Sequence, residues 1–154
     1  MNIELDLLRR VLSQMIESND IPEGAGIIVV RDFGGILKVL ALLNKGIYDI
    51  PKGGIDDKES ALEAAIRETE EEAGITELNF MWGTNSYINE KMTFFIALTT
   101  QDPIIRPNPH TGILEHDSAK WVSWTELCNN TKKFIVPGVI WAHTIIGSGL
   151  LANK

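Results

Sequence analysis

The chain has a single cysteine in 154 residues, so no disulfide can form within it and nothing in the sequence points to an oxidising compartment. Cys128 reads as a small core residue. Basic residues are also scarce: 14 Lys and Arg stand against 21 Asp and Glu, a formal charge of −7. That balance argues against a broad phosphate-binding surface for long nucleic acid, and an anionic substrate would need a metal or a few local cations. The first twenty residues carry Glu4 and Asp6 and lack an uninterrupted apolar core followed by small residues, so they do not read as a secretory leader. A cytoplasmic protein is expected. No repeat, linker or low-complexity tract is visible. The one long stretch without Asp, Glu, Lys or Arg runs from Phe134 to Asn153, and Pro137, Gly138, Gly147, Ser148 and Gly149 interrupt it. It reads as a final apolar helix packed on a domain, with no membrane span.

What is present suffices for one core: 44% of the residues are apolar, and residues 1–154 are expected to form a single domain. Apolar residues at helical spacing predict a first helix over 3–18. The run AGIIVVRDFGGILKVLALL predicts two buried strands joined at Asp32-Phe33-Gly34-Gly35, and a short strand is expected over 47–50. The loop PKGGIDDKES should be irregular because of its proline, glycines and aspartates. Ser60 with Glu63 forms a capping-box pattern and Gly74 a C-terminal stop, so 60–73 should be helical. A hairpin is expected near Asn89-Glu90, then an exposed Pro-rich loop QDPIIRPNPHTG, a strand at KWVSW and a short helix opened by Ser123 or Thr125. Hairpins mixed with helices suggest a mixed sheet with helices on its faces, an α/β (α+β) fold.

The helix over 60–73 crowds Glu68, Glu70, Glu71 and Glu72 into five positions. Like charges spaced i,i+4 cost a helix about 0.2–0.5 kcal/mol each in water, so either solvent or a cation must offset them. On a helical wheel Leu62, Ala65, Ile66, Thr69 and Ala73 share the expected packing face, while Glu68, Glu71 and Glu72 share another arc. Glu63 and Glu70 fall on the opposite flank, as solvated surface. Three convergent carboxylates suit a hard divalent cation such as Mg²⁺, and a solvated acidic face produces the same spacing.

The surrounding residues decide between these. Gly53, Glu59, Arg67, Glu68, Glu71, Glu72 and Gly74 sit at fixed intervals across residues 53–75, and this pattern resembles the Nudix box of hydrolases that cleave nucleoside diphosphates linked to another moiety. The box spans about a seventh of the chain. Thr69 departs from the family's preference for a larger aliphatic residue there. The resemblance implies an α/β/α sandwich with a loop–helix–loop motif and a requirement for Mg²⁺ or Mn²⁺. Carried over by position, Glu71 and Glu72 would be metal ligands, and Glu68 a ligand or a base acting through water. Gly53 would let a backbone carbonyl approach the metal, Arg67 would orient the glutamates, and Glu59 would pair with Arg67 or support the loop.

Other assignments follow from the same resemblance. Glu115, six residues before Trp121, is either the general base or a solvated loop acid, and His116 beside it takes a proton, touches phosphate or is an exposed loop histidine. His110 and His143 have no partner the sequence can identify. The segment Asp49 to Gly54 resembles the start of the box in dinucleoside polyphosphate and diphosphoinositol polyphosphate hydrolases, which makes Lys52 a phosphate contact or an ordinary loop lysine. Trp82, Tyr87, Phe94 and Trp141 could stack on a base, Tyr87 foremost, although each also fits a core. The implied partner is a small nucleotide, with neither a membrane nor long nucleic acid; a monomer and a homodimer fit equally. A dinucleoside polyphosphate such as diadenosine tetraphosphate heads the substrates, ahead of a 5′-phosphorylated RNA end and ADP-ribose or nucleotide sugars. A nucleotide-binding sensor on the same fold is the reading from another class.

Overall fold

The computed structural model describes residues 22–147. The expected first helix over 3–18 lies outside them. Strands β1 (Gly24–Phe33) and β2 (Ile36–Asn44) form the expected antiparallel hairpin, turning through Gly34 and Gly35, whose φ values of 67° and 98° need glycine. Strands β3 (Ile47–Asp49), β4 (Lys52–Gly54), β5 (Tyr87–Asn89), β6 (Met92–Leu98) and β7 (Ser118–Val122) complete one mixed sheet. Its spine runs β3-β2-β1-β6-β5, with β4 paired to β1 and β7 to β2. Only β1 and β6 run parallel, from Gly24 opposite Met92 to Val30 opposite Leu98.

β1 alternates across the sheet, so each face has its own core. Ile28 and Val30 meet Phe94, Ile96 and Val139 on one face; Ala25, Ile27 and Val29 meet Leu40, Phe95 and Ala97 on the other. Phe94 and Phe95 point to opposite faces, as strand alternation requires. Helix α1 (Ala61–Ala73) covers the second face, and α2 (Trp124–Asn130) and α3 (Val136–Gly147) cover the first. The result is an α/β/α sandwich. None of the described helices is long and apolar enough to cross a membrane.

One expectation needs correction, and two are made more specific. The loop 51–60 is not wholly irregular, because Lys52 to Gly54 pair with Gly24 to Gly26. The pairing depends on missing side chains: a Cβ on Gly26 would lie 2.6 Å from the Cβ of Lys52. The hairpin expected near Asn89-Glu90 forms, with its first strand reduced to three residues and its turn at Glu90 and Lys91, both at positive φ. Ser123, rather than Thr125, caps α2, accepting a hydrogen bond from the Glu126 N–H at 3.1 Å. In α3, Gly138 packs where any Cβ would strike the Phe94 ring at 2.5 Å.

Candidate active site

Helix α1 is held at both ends by local chemistry. Ser60 and Glu63 exchange hydrogen bonds of 3.1 and 2.9 Å in the expected capping box, and Gly74 ends the helix at φ 66°, donating to the Glu70 carbonyl at 2.9 Å. The face it buries differs from the one expected. Ala64, Ala65, Thr69 and Ala73 are buried, whereas Ile66 is 37% exposed. On a wheel of about 100° per residue the buried arc is turned toward Glu68 and Glu72, because the small side chains of Ala64 and Ala65 let the helix settle there. Thr69 is accommodated by donating its hydroxyl proton to the Ala65 carbonyl at 2.7 Å.

That rotation takes Glu68 and Glu72 toward the sheet edge. Glu72 accepts from the Lys52 backbone N–H at 2.8 Å, which ties α1 to β4. Glu68 lies against Gly53, where an added Cβ would stand 2.2 Å from the carboxyl carbon. The glycine therefore makes room for Glu68. Its backbone stands opposite Ala25 in the sheet.

Arg67 joins the acids. Its guanidinium donates to Glu59 at 2.8 and 3.0 Å, to Glu68 at 2.9 Å, to Glu71 at 3.2 Å and to the Gly54 carbonyl at 2.9 Å. Hydrogen bonding to Arg67 holds the Glu59 carboxyl below the usual range, and hydrogen bonding to Glu59 in turn raises Arg67. Burial overrides such pairing elsewhere. Glu68 is raised chiefly by burial in spite of Arg67, and Glu72 is pushed up to about 8 by burial, with Glu68 and Asp49 adding to the shift.

These observations test whether a metal fits. Among the described residues no three His, Cys, Asp or Glu side chains already form a cage for an ion. The donor set is nevertheless of the right kind: hard carboxylate oxygens on one helix flank, suited to Mg²⁺ or Mn²⁺. One Arg67 nitrogen lies within 3.2 Å of both Glu68 and Glu71, so a positive centre is accommodated between them. The residues fit a divalent cation.

Around this centre the remaining candidates fall in different places. Lys52 is half-buried and paired with Asp49 at 2.8 Å, neither a free loop lysine nor a free donor. Glu115 is exposed, near enough to Glu68 to raise it, and contacts Asn108 at 3.5 Å. His116 is buried instead of loop-exposed, and burial lowers its ionisation, so it is held neutral. His110 does have a partner, standing 3.5 Å from Glu71, and His143 packs edge-on against Trp124.

Tyr87 is half-buried and lies on the sheet face away from α1, stacked on Trp141 with centroids 5.8 Å apart and planes at 19°. Register places Tyr87, Phe94, Gly26 and Lys52 in one row across β5, β6, β1 and β4. Three strand spacings separate its ends, about 14 Å. The sequence reading missed Arg106, which donates to the Glu70 carbonyl at 3.3 Å and borders a cavity of about 360 Å³ with Arg67 and Glu71. Its signal was only an arginine between prolines in a loop.

A mixed sheet between helices, with a capped helix presenting carboxylates organised by an arginine, defines a hydrolase scaffold for phosphoanhydrides. The chain belongs to the NUDIX domain family, whose model matches residues 21–139, and is a Nudix hydrolase. A relative from Ectopseudomonas mendocina, named RNA pyrophosphohydrolase, is 28% identical over an alignment 131 positions long that covers 71% of this chain and 81% of its own. An Ap4A hydrolase from C. elegans, solved as a binary complex, shares the fold with a TM-score of 0.57 at 22% identity, over 87% of this chain and 100% of its own. The NUDIX domain of Shewanella oneidensis NrtR, solved with ADP ribose, aligns with a TM-score of 0.56 at 17% identity over 80% of this chain and 86% of its own.

Proposed function

We propose that the protein hydrolyses a phosphoanhydride bond in a dinucleoside polyphosphate such as diadenosine tetraphosphate, and requires Mg²⁺ or Mn²⁺. The observation that carries this reading is that Glu68 and Glu72 both pack on β4, against Gly53 and the Lys52 N–H, while Arg67 links Glu68 to Glu71. The three glutamates, with the Gly53 carbonyl, would hold the cation. Bound there, it offsets phosphate charge, polarises the phosphoryl group and activates water.

The chain's own groups do the rest. Arg67 fixes the rotamers of Glu68 and Glu71, and Glu59 fixes Arg67 through two hydrogen bonds. Glu115, exposed and electrostatically coupled to Glu68, takes the proton of the attacking water. His116, neutral and buried, supports the loop behind Glu115 and adds no positive charge toward phosphate.

A 5′-triphosphorylated RNA end is the second reading, supported by the names of relatives at 26–28% identity. It needs only a small basic patch, so the net charge of −7 does not exclude it. The discriminating experiment is hydrolysis of a panel holding diadenosine tetraphosphate, 5′-triphosphorylated RNA, ADP-ribose and nucleoside triphosphates, with products separated by chromatography. Preferred cleavage of the dinucleotide supports the first reading and preferred cleavage of RNA the second. Nucleotide binding without turnover of any substrate would establish the sensor instead.

A further inference from the structure

The cations beside the carboxylates are not equally available to a substrate. Arg67 is engaged by Glu59, Glu68, Glu71 and the Gly54 carbonyl, with Asp56 at 3.5 Å. Lys52 is closed by Asp49 at 2.8 Å. Arg106 differs: its one hydrogen bond is the 3.3 Å contact to the Glu70 carbonyl, an acceptor already served by the Gly74 N–H at 2.9 Å. It pairs with no carboxylate among the described residues, and most of its five N–H donors are unspent.

Its position is fixed by the backbone. The Ile104 N–H donates to the Ala73 carbonyl at 2.7 Å, and the Ile104 Cβ lies 3.1 Å from where a Cβ on Gly74 would sit. The loop is thus fastened to the end of α1, and Arg106 overhangs the cavity of about 360 Å³ that it shares with Arg67 and Glu71. That cavity adjoins the carboxylate centre through Arg67 and Glu71, with Glu70, Pro107 and Pro109 completing its lining.

We propose that Arg106 is a specificity-determining contact that binds phosphates beyond the cleaved anhydride, so that it selects substrates with three or more phosphates over those with two. The inference rests on the hydrolase reading of the same site. A guanidinium takes phosphate oxygens in pairs and stays charged at every working pH, whereas a lysine supplies a point charge. Arg106→Lys should therefore retain part of the effect.

The test measures KM and kcat of the wild type, Arg106→Ala, Arg106→Lys and the charge control Lys133→Ala on dinucleoside substrates of two, three and four phosphates. In parallel, binding of methylene-bridged analogues of the same lengths is measured by calorimetry with Mg²⁺. For Arg106→Ala we expect KM and Kd to rise about tenfold for three and four phosphates and less than twofold for two, with kcat within about twofold. Arg106→Lys should fall between, and Lys133→Ala should match the wild type. Equal effects at every chain length, or none, would overturn the inference. A wild type that hydrolyses none of these dinucleotides would sink the dinucleoside polyphosphate reading, and the binding arm would still decide Arg106.

Discussion

At the scale of single residues, the site depends on charges that the fold keeps under strain. The folded Glu72 carboxyl, pushed up to about 8, lies above its unfolded value near 4.5. Its contribution to stability is therefore complete below about pH 4.5 and is lost as pH rises through about 8. A divalent cation binds only the ionised form and opposes that loss. The increase in Tm produced by Mg²⁺ should thus be larger at pH 8 than at pH 6, measured by thermal unfolding with and without chelator; an equal increase at both values would detach Glu72 from the metal. Gly53→Ala tests the space beneath Glu68. An added Cβ 2.2 Å from the carboxyl carbon forces that side chain away, which should lower stability by about 1–3 kcal/mol and remove most turnover. Glu59→Gln, which keeps its shape but loses its charge, should reduce kcat by about 10–100-fold with Tm little changed, as expected of a group that positions Arg67.

At the scale of elements, α1 was legible because its signals are local: Ser60, Glu63 and Gly74 state its limits within fifteen residues. Ser60→Ala should cost about 1 kcal/mol in chemical denaturation while leaving KM and kcat near wild type, separating helix stability from chemistry. The direction in which α1 faces was less legible. Leu62 and Ile66 pull a periodicity reading toward their own side, whereas the sheet accepts the smaller Ala64 and Ala65 and leaves Ile66 at 37% exposure. What decides is the fit of a helix on β1, and that is not written in spacing alone. β4 escaped notice for a related reason. Its glycines look like loop, and its partner Gly24 to Gly26 lies nearly thirty residues away. The reach of Arg106 likewise depends on how the loop after β6 is fastened to α1.

At the scale of the whole molecule, the sheet divides the labour. One face carries α1 and the carboxylates; the other carries Lys52, Tyr87 and Trp141 under α3. Carboxylates outnumber Lys and Arg around Arg67 and Lys52, so a protein with a net charge of −7 needs a divalent cation there to hold an acidic substrate. The central claim is that Glu68, Glu71 and Glu72 form one metal-dependent hydrolytic centre. Its most direct test is turnover of diadenosine tetraphosphate by the wild type and Glu71→Gln, with Mg²⁺ and again with excess chelator, alongside the Tm of both proteins. Chelator-sensitive cleavage by the wild type, and a loss of about a hundredfold or more in a variant that keeps its Tm, is the result expected. Equal turnover by the two proteins, or turnover indifferent to chelator, would contradict the account.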